Sequence, residues 1–495
     1  MSRGGGVRST AVVLIAFVLA FVAGCRQGHR PDTAAVPTGP SSGAVGVSHT
    51  FSSSAEDHDG DDVAIRFDWG DGDTSDWSAW VHPGDTVTVN HSWSVSGIFT
   101  VKAQAKARNF TISGWSDGCV VAIVGKWLMT FGGADDDEGR SVQQTWDGGY
   151  IVTGYTLSGG TEGYRGWLVK TDAGGIMSWS RTLGWTNVAD SRSVRQTLDG
   201  GYIVTGYIWP HGAGSADVWL VKTDANGDTS WTRTFGGEGD DAGNSVQQTQ
   251  DGGYVIAGTT YSYGAGQGDV WFIKVDADGS LAWCKTFGGV SYDEGESVQQ
   301  TQDGGYIIAG TTWSYGAGWH DVWLIRTDAA GDTVWTRTFG GAQEDWGGSV
   351  QQTRDGGYVI VGGTMSHGAG SADVWLVKTD ANGDTSWTRT FGGEGDDAGN
   401  SVQQTQDGGY IVTGYTRSYG AGGYDVWLIK TDANGDTAWT RTFGGSSDDE
   451  GYSVQPTSDG GYIIAGCTGS FGAGGYDVWL IKTDAEGRVD EGGGK

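Results

Sequence analysis

The stretch Asn244–Gly289, NSVQQTQDGGYVIAGTTYSYGAGQGDVWFIKVDADGSLAWCKTFGG, decides the fold. Four runs in it are rich in strand-forming residues, NSVQQT, YVIAGTT, DVWFIKVD and LAWCKTFGG, each bounded by Gly- or Asp-rich punctuation. The Asp-Gly pairs between the first and second runs and between the third and fourth read as two-residue hairpin turns. A four-stranded antiparallel meander follows, too small to bury both of its faces by itself.

The unit recurs without a slip in register. DGGY begins at Asp147, Asp199, Asp251, Asp303, Asp355, Asp407 and Asp459, a spacing of 52 residues each time. A period of that length marks a stacked array, in which each unit buries its apolar faces against its neighbours. The fourth run carries a Trp at 179, 231, 283, 335, 387 and 439, and the next copy would fall at 491, where the tail has none. Counting back 52 from Trp179 lands on Trp127 in KWLMTFGG, ahead of the first DGGY. The N-terminal strand is thus expected to complete the last unit. The expected fold over residues 126–495 is all-β: a seven-bladed β-propeller of four-stranded antiparallel blades, its ring closed by that strand so that no sheet edge is exposed.

Composition agrees with a turn-rich β protein: 91 glycines and 25 tryptophans in 495 residues, with 18% charged. The formal net charge of -30 excludes nucleic acid as a partner, because affinity for phosphate backbones comes from clustered Lys and Arg. It suits an exported, solvated surface or affinity for cations. Three cysteines beyond Cys25, at 119, 284 and 467, lack metal-ligand spacing and read as free.

At the N-terminus, Arg3 and Arg8 precede the apolar run Ala11–Ala23, too short to span a bilayer and suited to a secretory signal. The run ends Phe21-Val22-Ala23-Gly24-Cys25, which resembles the bacterial lipobox. That resemblance implies a lipoprotein signal peptide over 1–24, lipidation of Cys25 and a membrane anchor. Residues 25–40, polar and containing proline, are read as a tether.

Residues 41–124 fall outside the repeat and alternate in strand fashion. FDWGDGDTSDWS from Phe67, HSW from His91 and GIFTVKAQAKA from Gly97 resemble a PKD domain, an immunoglobulin-like β-sandwich of extracellular proteins. The resemblance implies a spacer or interaction module. Asp57, Asp59 and Asp61 in DHDGDD are weak candidates for calcium, the alternative being an acidic β-turn. Taken whole, the repeats are similar to secreted DGGY-type β-propeller arrays of bacterial and archaeal surface proteins, a resemblance that carries no activity with it.

Whatever recurs in every unit is scaffold before it is chemistry. That covers both tryptophans of each unit and the recurring Lys or Arg of the third run. In an up-and-down meander the longer 2–3 loops and 4–1 links share one side, so binding is expected there. An aromatic recurs in the 2–3 loops (Tyr263, Tyr315, Tyr419, Phe471, or His211 and His367). An Asp recurs in the links at 137, 241, 293, 345, 397 and 449. These suit either multivalent sugar or cation binding, or simple turn chemistry. The largest departure from the repeat gathers Trp313, Trp319, His320, Glu344 and Trp346 beside Tyr315, and an exposed aromatic platform for ligand is expected there.

No HExxH, GxSxG or P-loop occurs, and residues 214–254 and 370–410 are identical, a copying that erases the differences an enzyme site needs. The reading is a lipid-anchored, non-catalytic surface protein without an obligate cofactor, calcium aside, binding extracellular carbohydrate or protein. A polysaccharide-active lyase or hydrolase is the rival, and would need unique charged residues at the centre of the ring, which the repeat alignment does not reveal. An envelope assembly scaffold is the third class.

Overall fold

The computed structural model describes residues 29–489 except 46, 95–96, 109–110, 159–162, 185–187 and 210–214. The segment expected to be a signal peptide, Cys25, the start of the expected tether and His211 lie outside the described residues. Contacts divide the chain into one unit of Met1–Gly39, Thr50–Val89 and Thr100–Cys119, and another of Pro40–His49, Asn90–Phe99 and Val120–Lys495.

In the first unit, Val63–Asp68 runs antiparallel to the end of Gly97–Ala107, with Val63 opposite Ala107 and Asp68 opposite Lys102. Phe67 stacks on Trp69 at 5.3 Å, and Phe51 meets the same indole edge-on. The DWGDG turn explains its own sequence. Asp68 accepts a hydrogen bond from the Gly70 amide, and Gly70 sits at φ 76° against the Thr100 backbone, where a side chain would clash.

In the second unit, seven four-stranded antiparallel sheets follow one another, and each is open rather than closed on itself. The third consists of Asp241–Gln248, Tyr254–Thr260, Asp269–Val275 and Leu281–Phe287, the four runs expected. The seventh has three strands of its own, and Trp127–Phe131 pairs with the last of them, Trp127 opposite Lys482. The expected N-terminal complement to the last sheet is therefore present.

The two-residue hairpin expectation is corrected. Thr249 donates its amide to Gly253 and Gly252 donates to Thr249, which leaves the three-residue loop Gln250–Gly252 with Gly252 at φ 85°. The 3–4 turn repeats this geometry, closing Asp276 on Ser280 around Gly279. A tight turn followed by a left-handed glycine matches strand twist as well as a two-residue loop does, and only the chain path tells them apart.

Neighbouring sheets are joined by recurring devices. Trp231 of sheet two meets Tyr254 of sheet three edge-to-face, and Trp127 of sheet seven meets Tyr150 of sheet one at 5.7 Å in the same way. The third-strand tryptophans Trp219, Trp271, Trp323, Trp375, Trp427 and Trp479 are buried. Each such indole removes on the order of 150–250 Å² from water. Ser453 and Gln455 of sheet seven accept hydrogen bonds from the Val142 and Gln144 amides of sheet one, as Ser245 and Gln247 of sheet three do from Val298 and Gln300 of sheet four.

The DGGY aspartate is scaffold too. Asp251 accepts from the Thr249 hydroxyl, the Gly253 amide and the ammonium of Lys274, whose side chain is buried. Cys119, Cys284 and Cys467 are free, as expected.

Candidate functional site

Among the recurring features of the loop side, the link aspartates are fully buried. Asp293 accepts from the Gly289 amide at 2.9 Å, the Ser314 hydroxyl at 2.6 Å and the Thr312 hydroxyl, which leaves it no capacity for a ligand. Tyr315 donates its hydroxyl to the Gly288 carbonyl at 2.8 Å and packs on Trp323, although half of the side chain stays exposed. Turn chemistry accounts for Asp293 and Tyr315, whereas Asp137 Oδ1 and Asp241 Oδ1 are buried with no hydrogen-bond partner among the described residues. Asp57 likewise accepts from the Asp59 and Asp61 amides, while Asp59 pairs with His29. Among the described residues no group of three His, Cys, Asp or Glu is placed to hold a metal.

The non-recurring residues of sheets four and five do come together. Trp313 lies 4.3 Å from His320, and His320 lies 6.4 Å from Trp346, measured between ring centroids. The imidazole is buried, with Nδ1 3.2 Å from the Asp345 carbonyl and Nε2 3.4 Å from Glu344. The backbone ties the two loops together as well, the Asp345 amide donating to His320 O at 2.9 Å. Trp346 is half-buried, and it fits because residue 363 is Gly where other units have Thr, Tyr or Cys: a Cβ there would run into its ring. Trp319 is 72% exposed and is the outermost of the set. His320 is thus a buried strut between aromatics, and the exposed aromatic surface of the set belongs to Trp319, Tyr315 and Trp313.

The aromatic run extends further than the sequence suggested. Tyr261 and Tyr292 are 5.7 Å apart, and Tyr292 meets Trp313 edge-on at 4.9 Å. At the Tyr261 end it borders a cavity of about 490 Å³, whose wall also includes Tyr207, Trp209, Arg192, Asp240, Asn244 and Glu294. A volume in this range suits a small polar ligand or one or two sugar units.

A second cluster brings together charged and polar residues that differ between units, which the repeat alignment did not show to be gathered. Every first strand carries a β-bulge, and the bulged residue is Arg140, Arg192, Asn244, Glu296, Gly348, Asn400 or Tyr452 in sheets one to seven. A bulge leaves one residue unpaired and re-aims its side chain. All seven line one cavity of about 370 Å³. Arg140 pairs with Glu138 and Asp190, and Arg192 donates to Asn244, whose amide reaches Glu296 at 3.2 Å. Burial first, and then the Glu294 carboxylate, hold the Glu296 carboxyl well above the usual carboxylate range. The slot is legible in the sequence as a position that holds five residue types in seven units, but nothing there reveals a bulge.

No helix of the described residues is long and apolar enough to cross a membrane. Over 248 residues the chain is 24% identical to the regulatory protein FlaEY of Caulobacter vibrioides, a match over 43% of this chain and 25% of that protein. The chain thus spans about a quarter of the curated relative it matches. Among solved structures, the extracellular domain of a hybrid two-component system from B. thetaiotaomicron is 12% identical with a TM-score of 0.38, over 72% of this chain and 42% of that one. The PKD domain of an M14-like peptidase from a Thermoplasmatales archaeon is 28% identical with a TM-score of 0.18, over 19% of this chain and 97% of that one. The family comparison agrees with the DWGDG turn and its aromatic packing: residues 33–109 are a PKD domain.

Proposed function

We propose that this is an exported, non-catalytic binding protein, anchored to the envelope through lipid on Cys25, whose seven sheets are the blades of a propeller. Its ligand is an extracellular carbohydrate. The observation that supports this best is the aromatic run Tyr261, Tyr292, Trp313, His320 and Trp346, which starts at the 490 Å³ cavity, with the exposed Trp319 next to His320 in the chain. Sugars stack on aromatic faces while flanking carboxylates and amides take their hydroxyls, and Asp240, Asn244 and Glu294 stand at that cavity. A glycan array probed with wild type and with the Trp319→Ala/Trp346→Ala variant, with and without calcium, tests it. Binding lost in the variant is expected, and unchanged binding in the variant sinks the reading.

The bulged-residue cavity supports a second reading, a polysaccharide lyase or hydrolase, because Glu296 with its raised proton affinity stands near Arg192 and Tyr452. Turnover of any polysaccharide that disappears in Glu296→Gln would favour it. A protein ligand in the envelope is the outcome if neither array binding nor turnover is seen and a surface protein is retained instead.

A further inference from the structure

Seven equivalent positions of the first strands, 143, 195, 247, 299, 351, 403 and 455, hold Gln in every unit except at 195, which is Arg. Arg195 lines a cavity of about 160 Å³ together with Gln247, Gln299, Gln351, Gln403 and Gln455. The hydrogen bonds fix which end of each amide faces that space. Gln247, Gln299 and Gln351 have their Oε1 atoms occupied by the Gln300, Gln352 and Gln404 amides of the next sheet, and Gln455 accepts from the Gln144 amide. Gln403 faces Pro456, which has no N–H, and its oxygen accepts from Gln351 Nε2 instead. Among the described residues the NH₂ groups of Gln247, Gln299, Gln403 and Gln455 have no partner.

The serine ring is arranged the same way. Ser297, Ser349, Ser401 and Ser453 line this cavity, and their oxygens accept from the Val350, Val402, Val454 and Val142 amides. Each oxygen thus has one of its two lone pairs taken, and its hydroxyl proton is left to donate. The wall therefore offers more unpaired donors than unpaired acceptors. Arg195 adds a full positive charge, its one hydrogen bond among the described residues running from Nη1 to the Val194 carbonyl at 2.9 Å. No carboxylate lines the cavity. Burial, uncompensated by any acidic neighbour, pushes the guanidinium pKa down.

We propose that this cavity, where the first strands of all seven sheets converge, binds a small oxyanion (a carboxylate, phosphate or sulfate) on Arg195 and the surrounding glutamine and serine donors. The volume holds such an ion with a few waters of about 30 Å³ each. The anion supplies acceptors to these donors and a counter-charge to a half-buried guanidinium that has none in the cavity wall. In a chain of net charge -30, a site of this sign does not follow from bulk electrostatics. The inference uses none of the aromatic-run residues and does not rest on the carbohydrate reading.

The test uses the full-length protein, titrated by calorimetry and thermal shift with acetate, phosphate and sulfate at constant ionic strength set with chloride. Arg195→Gln restores the residue that the other six units carry, so it should fold as wild type does. Saturable binding of at least one oxyanion is expected, weakened about 10- to 100-fold in Arg195→Gln, the fold-change matching loss of a charge-assisted hydrogen bond of about 1.5–3 kcal/mol. The apparent melting temperature without anion should be equal or higher in the variant. Failure of all three ions to bind wild type, or equal binding by the variant, overturns the proposal. Neither result bears on glycan binding, which is read on the array.

Discussion

Gly363 lies beneath the indole of Trp346: a Cβ at that position would enter the ring, and sheet five is the one whose second strand carries Gly in this slot. The two departures from the repeat are one feature, a large side chain and the space made for it.

Gly363→Thr, which restores a residue found in other units, should therefore displace the Trp346 ring without unfolding the sheet. Overpacking of this kind costs about 1–3 kcal/mol. The expected outcome is a rise in Trp346 exposure, read by fluorescence quenching against a Trp346→Phe control, with glycan binding reduced.

The DGGY aspartate makes a second prediction. Asp251→Ala leaves the buried ammonium of Lys274 with only the Val275 carbonyl, at a cost of about 1–3 kcal/mol. The double variant Asp251→Ala/Lys274→Met should recover part of this, since an absent charge needs no partner. Hydrogen exchange localised to sheet three distinguishes this from global loss.

The same slot sets an acid limit. Burial would raise the carboxyls of Asp199 and Asp407, but hydrogen bonds from Thr197, Lys222 and Gly201, and from Lys430, Thr405 and Gly409, outweigh it and hold both at about 2. A folded pKa below the ordinary 3.8 means stability that is present above that value and lost as pH falls from about 4 toward 2. Urea midpoints across that range should fall for wild type and fall less for Asp199→Asn.

Glu296 acts in the opposite sense. Its folded pKa is raised, so the stability tied to its proton is complete below the ordinary 4.5 and is lost as pH rises past it. Glu296→Gln should match wild type in melting temperature at pH 4 and exceed it at pH 9. Equal curves at both would show that the carboxyl is solvated.

Trp127→Ala removes the buried ring that joins sheet seven to Tyr150 of sheet one, at about 3–5 kcal/mol. Deleting residues 126–131 should go further and bare the edge of Asp477–Thr483, with aggregation detected by light scattering.

The sequence alone determined the strands, their number per unit, the transfer of an N-terminal strand to the last unit and the scaffold role of the repeated tryptophans. All of these follow from alternation and from a period of 52, which are properties of position along the chain. The tertiary structure decided what the departures mean. Trp313, Trp319 and Trp346 were visible as departures, but that His320 is a buried strut between Trp313 and Trp346 depends on packing between two loops. Arg192, Asn244 and Glu296 differ from unit to unit in plain view, yet that they stand at β-bulges and line one shared cavity appears only in the folded sheets. Arg195 stands in a slot of glutamines, and its solitude became apparent only once the amide oxygens around it were seen to be bound to the next sheet. A repeat fixes where residues sit along each strand; which of their hydrogen-bonding atoms remain free depends on the neighbouring sheet.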